Sequence, residues 1–149
     1  MPIAPATNLI FAGVKKRWDE RGLDAQVTGG IHQNEPPSGT AMPYAVAEGI
    51  SDAPNGRTNL TRYRRVAFQI SLLTATPEQG GDLAALVLAA FEDEPLEMGG
   101  ADPTTDTGGL VELWAGPVRY LWNRDRTKLF TILEFMATAA RPRGRSRNR

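Results

Sequence analysis

Val66, Phe68, Ile70 and Leu72 are apolar, and Arg65, Ala67, Gln69 and Ser71 fall between them without a break. A period of two belongs to a strand that buries one face. Thr76, Pro77 and Gln79 follow at once: a hydroxyl for the N-cap, a ring that suits the first helical position, and a side chain that closes a capping box. Leu83, Val87 and Phe91, flanked by Ala84 and Leu88, then recur at helical spacing until Pro95 stops the pattern. The stretch from Leu60 to Phe91 therefore reads as a long strand, a turn, and a helix whose apolar stripe packs back onto that strand.

A chain of 149 residues is long enough for one domain with a real core and too short for two. We expect one domain over residues 1–140 and an Arg-rich tail over 141–149. The chain has no cysteine, which excludes disulfides, thiolate metal sites and cysteine nucleophiles and fits assembly in a reducing cytoplasm. The N-terminus lacks a basic start followed by an apolar run, and no segment reaches the length needed to cross a bilayer. A soluble, unsecreted protein with no membrane partner is the expectation.

Around the strand-turn-helix stretch the other elements fall into place. Thr7 is placed to cap a first helix over residues 8–20, with Ile10, Val14 and Trp18 on its inner stripe and Arg21-Gly22 as its stop. Gln26 to Thr28 is a candidate short strand. Gly29 to Pro43 reads as a loop, and Tyr44 to Ala47 as a second short strand. Residues 51–58 contain Asn55-Gly56, a turn signal that separates the Tyr44 strand from the long one; the two strands should lie antiparallel. Gly99 to Gly109 is a second polar loop. Leu110 to Trp122 and Thr127 to Thr138 form a hairpin around Asn123 to Arg126.

The fold class that follows is α+β, an antiparallel or mixed sheet with two main helices packed on one face. The closing hairpin is apolar on both faces, with Trp114, Val118, Tyr120 and Trp122 on one side and Val111, Leu113 and Leu121 on the other. Two helices cover only one face of such a sheet. Either the sheet curls to bury the second face internally or a neighbouring subunit covers it. Trp114, Tyr120, Trp122, Phe130 and Ile132 are the candidate subunit interface.

No arrangement of residues points to catalysis, a cofactor or a metal. His32 is the sole histidine and stands in a polar loop without a second ligand of its kind. No serine lies in a nucleophile-elbow context, and no glycine pattern matches a phosphate loop. The carboxylates Glu92, Asp93, Glu94 and Glu97 trail a helix without ligand spacing, and Asp102 and Asp106 lack the pattern of a calcium loop.

Charge is the more informative feature. Net charge is zero, yet residues 141–149 hold five arginines and no acid, leaving 12 basic against 17 acidic residues in the body, a formal charge of −5. Arg57, Arg62, Arg64 and Arg65 cluster at the start of the long strand, either as a solvated strand end or as a contact to an anionic partner surface or DNA. Alternation places Arg62 and Arg64 on one face and Arg65 on the other. Three readings stand for Arg141, Arg143, Arg145, Arg147 and Arg149: a non-specific nucleic-acid arm, an arm docking on an acidic partner, or a solvated tail.

The order of these elements resembles the tail terminator (tail completion) proteins of long-tailed bacteriophages and phage-like particles. The likeness rests on the N-terminal helix, on Pro43-Tyr44-Ala-Val46 leading through a turn to the arginine-studded strand and the Thr76-Pro77 helix, and on the hairpin from Leu110 through Val118-Arg119-Tyr120 to Leu133-Glu134-Phe135. It covers residues 5–140; the tail has no counterpart in it. The resemblance implies a structural, non-enzymatic virion subunit, assembled in the host cytoplasm into a hexameric ring. Such a ring caps the tail tube, meets a head-tail connector or stopper protein, and lets DNA through its lumen without reading its sequence. A head-closure or tail tube ring protein is the near alternative, and a small nucleic-acid-binding module that uses the basic tail is the alternative of another class.

Overall fold

The computed structural model describes residues 6–57, 61–92, 96–97 and 110–142. In chain order it contains helix α1 (Ala6–Glu20), a single 3-10 turn (Leu23–Ala25), strands β1 (Ile31–Gln33), β2 (Tyr44–Arg57) and β3 (Thr61–Thr74), helix α2 (Pro77–Glu92), and strands β4 (Leu96–Glu97), β5 (Leu110–Trp122) and β6 (Leu129–Pro142). The sheet order is β1-β2-β3-β6-β5-β4. Only β1 runs parallel to its neighbour; the other pairs are antiparallel. The α+β class with a mixed sheet and two helices is therefore the observed architecture.

β3 is central, and its apolar row is the floor of the core. Val66, Phe68, Ile70 and Leu72 are all buried, flanked in register by Ala45 and Ala47 of β2 and by Leu133, Phe135 and Ala137 of β6. Alanines on β2 leave room for α1, which sets Ile10, Val14 and Trp18 into the same cluster. α2 adds Leu83, Ala84, Val87 and Phe91. Phe68 and Phe135 stack with ring centroids 5.3 Å apart, and Phe91 tilts over Phe135 at 6.0 Å. Both helices thus occupy one face.

Local chemistry fixes the helix ends. Thr76 Oγ1 accepts from the backbone N–H of Gln79 at 3.2 Å, the first half of the expected capping box. The returning bond goes one residue further back, from the N–H of Ala75 to Gln79 Oε1 at 3.5 Å. α1 ends where Gly22 takes φ +64°, a conformation that favours glycine. Trp18, fully buried, donates its indole N–H to Asp24 at 2.7 Å, so the 3-10 turn satisfies the one polar atom α1 carries into the core at that point.

Arg17 is buried as well. Its guanidinium donates to the carbonyl of Ala90 at 3.0 Å and lies 5.9 Å from the centroid of Phe91. Ala90 stands in the last turn of α2, where carbonyls lack helical donors, so a cation from α1 completes the end of α2.

Several expectations are corrected. Thr7 lies inside α1 rather than before it, because the helix already includes Ala6. Gln26 to Thr28 forms a turn, and the short strand comes later, at Ile31–Gln33 within the expected loop; the N–H of Ala45 bonds Gly30 and that of Asn34 bonds Ala47, which draws the segment onto β2. Asn55-Gly56 does not end the Tyr44 strand. β2 continues to Arg57 by absorbing single extra residues between Gly49 and Ser51 and between Pro54 and Gly56. The hairpin stands as expected, with Asn123 Oδ1 accepting from the N–H groups of Thr127 and Lys128 at 2.8 and 3.0 Å. β6 starts at Leu129 and runs on to Pro142. The loop Gly99 to Gly109 lies outside the described residues.

Gly80 and Gly81 make a local test of α2 against the sheet. A Cβ on Gly80 would sit 2.6 Å from Thr131 Oγ1, a buried hydroxyl with no hydrogen-bond partner, and 3.2 Å from Thr74 Oγ1; one on Gly81 meets nothing within 4 Å. Gly81→Ala should stabilise by about 0.5–1 kcal/mol through helix propensity, whereas Gly80→Ala should destabilise by about 1–3 kcal/mol through overpacking, both read from urea midpoints. Arg17→Met keeps the apolar stem and removes the donor to Ala90. It should cost about 1–3 kcal/mol in the same assay, with the far-UV spectrum retained.

Candidate assembly interface

The pleat that turns Val66, Phe68 and Ile70 toward the helices turns Gln69, Ser71 and Leu73 to the opposite face, which no helix covers. At one end of that face Tyr44, Val46 and Leu73 are buried together, with Met42 and Phe130 packed against them. Beside this cluster runs a groove of about 390 Å³ lined by Pro36, Tyr44, Leu121, Phe130 and Ile132, with Asn34, Glu48, Gln69, Ser71 and Lys128 as its polar members. The face is apolar over the β5–β6 hairpin and polar toward its middle.

The five candidate interface residues do not share this face. Trp114 stands opposite Met136, while Phe130 and Ile132 alternate with the core-facing Leu129, Thr131 and Leu133; these three belong to the helix-free side. Tyr120 stands opposite Thr131 and Trp122 opposite Leu129, which puts both on the helix side, at its β5 margin. The cause is a bulge: β5 advances three residues from Ala115 to Val118 while β6 advances two. Gly116-Pro117 supplies the extra residue and reverses the alternation, so Val118 joins the core whereas Trp114 does not. A Gly-Pro pair inside an apolar strand was the available signal.

Trp114, Tyr120 and Leu121 are 51%, 58% and 60% exposed, and all lie on β5. Arg119, between them, reaches Glu134 across the ladder at 3.5 Å, an exposed ion pair worth little to stability.

The arginines gather more closely than the sequence alone implied. Arg57 pairs with Arg62 and Arg62 with Arg141, giving three arginine positions in one row across β2, β3 and β6. Arg64 stands between Pro54 and Ala139, and the exposed Arg65 between Ala53 and Thr138. Arg143, Arg145, Arg147 and Arg149 lie outside the described residues and follow β6 directly from this end of the sheet.

His32 lies in β1, its Nε2 2.8 Å from the carbonyl of Gly29 and its ring edge-on to Tyr44. That is a turn-stabilising role. Glu92 is exposed at the end of α2; Asp93 and Glu94 are outside the described residues, and among the described residues no three metal-ligating side chains gather.

No curated protein matches the chain in sequence. In structure the chain is similar to one from the virion of a native gene transfer agent particle, 19% identical with a TM-score of 0.67, covering 88% of this chain and 92% of that one. A second solved chain is 15% identical with a TM-score of 0.54, covering 94% and 97%. Residues 20–116, nearly two thirds of the sequence, match the family of tail completion protein gp17. The chain thus belongs to the tail completion protein gp17 family and is a structural tail protein, not an enzyme.

Proposed function

We propose that this protein is the tail terminator of a phage or phage-like particle, a virion subunit that assembles into a ring of six. The ring caps the finished tail tube, meets the connector or stopper protein of the head, and leaves a lumen for DNA. The observation that carries the reading is the helix-free face and β5 strand, where Trp114 and Leu121 are exposed and Phe130 is only partly buried among the described residues. Membership of a tail completion family and the fold of a gene transfer agent virion chain support it. Heterologous contacts that close by rotation give such a ring without further symmetry in the subunit.

Negative-stain imaging of the purified protein with tail tubes from particles assembled without it tests this directly. Rings should appear on one end of each tube, and tube lengths should narrow to one value. Tubes left bare while the protein decorates isolated connectors would overturn the terminator reading in favour of head closure.

The arginine end is assigned to a polyanion, the DNA that passes the ring. Removing residues 143–149 deletes four arginines without touching β6. Duplex DNA binding should weaken most at low salt, and the slope of log K against log salt should fall by roughly 3 to 4. An unchanged slope with weakened binding to tube or connector would give the tail to an acidic protein partner instead.

A further inference from the structure

Both lateral margins of the sheet are unfinished. β4 pairs with β5 only at Leu110 and Val111, and β1 pairs with β2 only from Ala45 to Ala47. Five large hydrophobic residues are exposed among those described, and four of them sit on these two strands: Trp114, Tyr120 and Leu121 on β5, and Ile50 on β2. The fifth, Leu86, is on α2. Apolar exposure concentrated at the two margins of a sheet marks those margins as contact surfaces.

Register adds a second, independent observation. Ile50 is the extra residue of the β2 bulge, between the rows Gly49–Phe68–Phe135–Ala115 and Ser51–Ala67–Met136–Trp114. Ile50 and Trp114 therefore stand at the same height on opposite margins, 53% and 51% exposed. β2 and β6 each run antiparallel to β3, and β5 antiparallel to β6, so β5 points opposite to β2. A rotation about an axis along the strands preserves both height and direction. It brings the β2 margin of one copy to the β5 margin of the next in antiparallel sense, with Ile50 against Trp114.

We propose that the second copy of this chain docks in this way: the subunit contact is heterologous, edge to edge, and centred on Ile50 of one copy and Trp114 of the next. The inference rests on the ring reading above and names the surfaces that close it. Side chains carry the contact, because bulges at Ile50 and at Gly116-Pro117 interrupt both edges and prevent a continuous ladder. A twofold contact of β5 with β5 is the poorer fit: it would centre near Pro117, which has no N–H to donate, and it would leave Ile50 uncovered.

The chain has no cysteine, so introduced thiols are unique. The Ile50→Cys, Trp114→Cys double variant, oxidised on tail tubes, should give a ladder of covalent oligomers up to the copy number of the ring, and neither single variant should. In parallel, Ile50→Lys and Trp114→Glu should each raise the concentration needed for assembly at least tenfold, and the combined variant should recover most of that loss. Both residues are exposed, so far-UV spectra and Tm should not move. Singles that assemble like wild type, a combined variant as impaired as the singles, or a covalent dimer from Trp114→Cys alone would each overturn the proposal. Wild-type rings with none of these effects overturn this contact alone; wild-type protein that forms no rings, free or on tubes, overturns the ring reading with it.

Discussion

One buried face of β3 sets the terms for the rest of the molecule. Val66, Phe68, Ile70 and Leu72 must be shielded from water, and α1 and α2 between them shield that face of β2, β3 and β6. Neither described helix lies on the other face. Two polar groups at the helix layer find partners, the Trp18 indole at Asp24 and the end of α2 at Arg17, while the Thr131 hydroxyl is buried without one. The helices close one side, and most of the exposed large apolar residues among those described lie elsewhere, on β5 and β2.

Those two kinds of surface suit different tasks. The helix side is shaped by packing, with Phe135 in contact with both Phe68 and Phe91. The far end of β2, β3 and β6 aligns three arginine positions in one row, Arg57–Arg62–Arg141. A fold with one helix-covered side keeps its core apart from the exposed Trp114, Tyr120 and Leu121 of β5.

Much of this architecture was legible in the chain because period and capping chemistry act locally. The β3 alternation, the Thr76–Gln79 cap, the Gly22 stop and the Asn123 turn each depend on residues within a few positions. What escaped was long-range. The bulges at Ile50, Asn55 and Gly116-Pro117 shift pairing by one residue, and a shift of one exchanges the faces, which is why Tyr120 and Trp122 part from Trp114. The arginine row was hidden for the same reason: Arg57 and Arg141 stand 84 positions apart in sequence and are aligned only by their common partner Arg62. β1 was hidden by its length, three residues held by parallel bonds to β2.

The path of β6 has a mechanical consequence. The strand leads directly into the last residues of the chain, and its fourteen pairs with β3 run from Leu129 opposite Thr74 to Pro142 opposite Thr61. Tension applied through the C-terminal residues acts along that strand. It loads the whole ladder in shear, so that the bonds share the force and fail together; a pull across the strand would unzip them one at a time. A pull directed along β6 therefore meets all fourteen pairs at once.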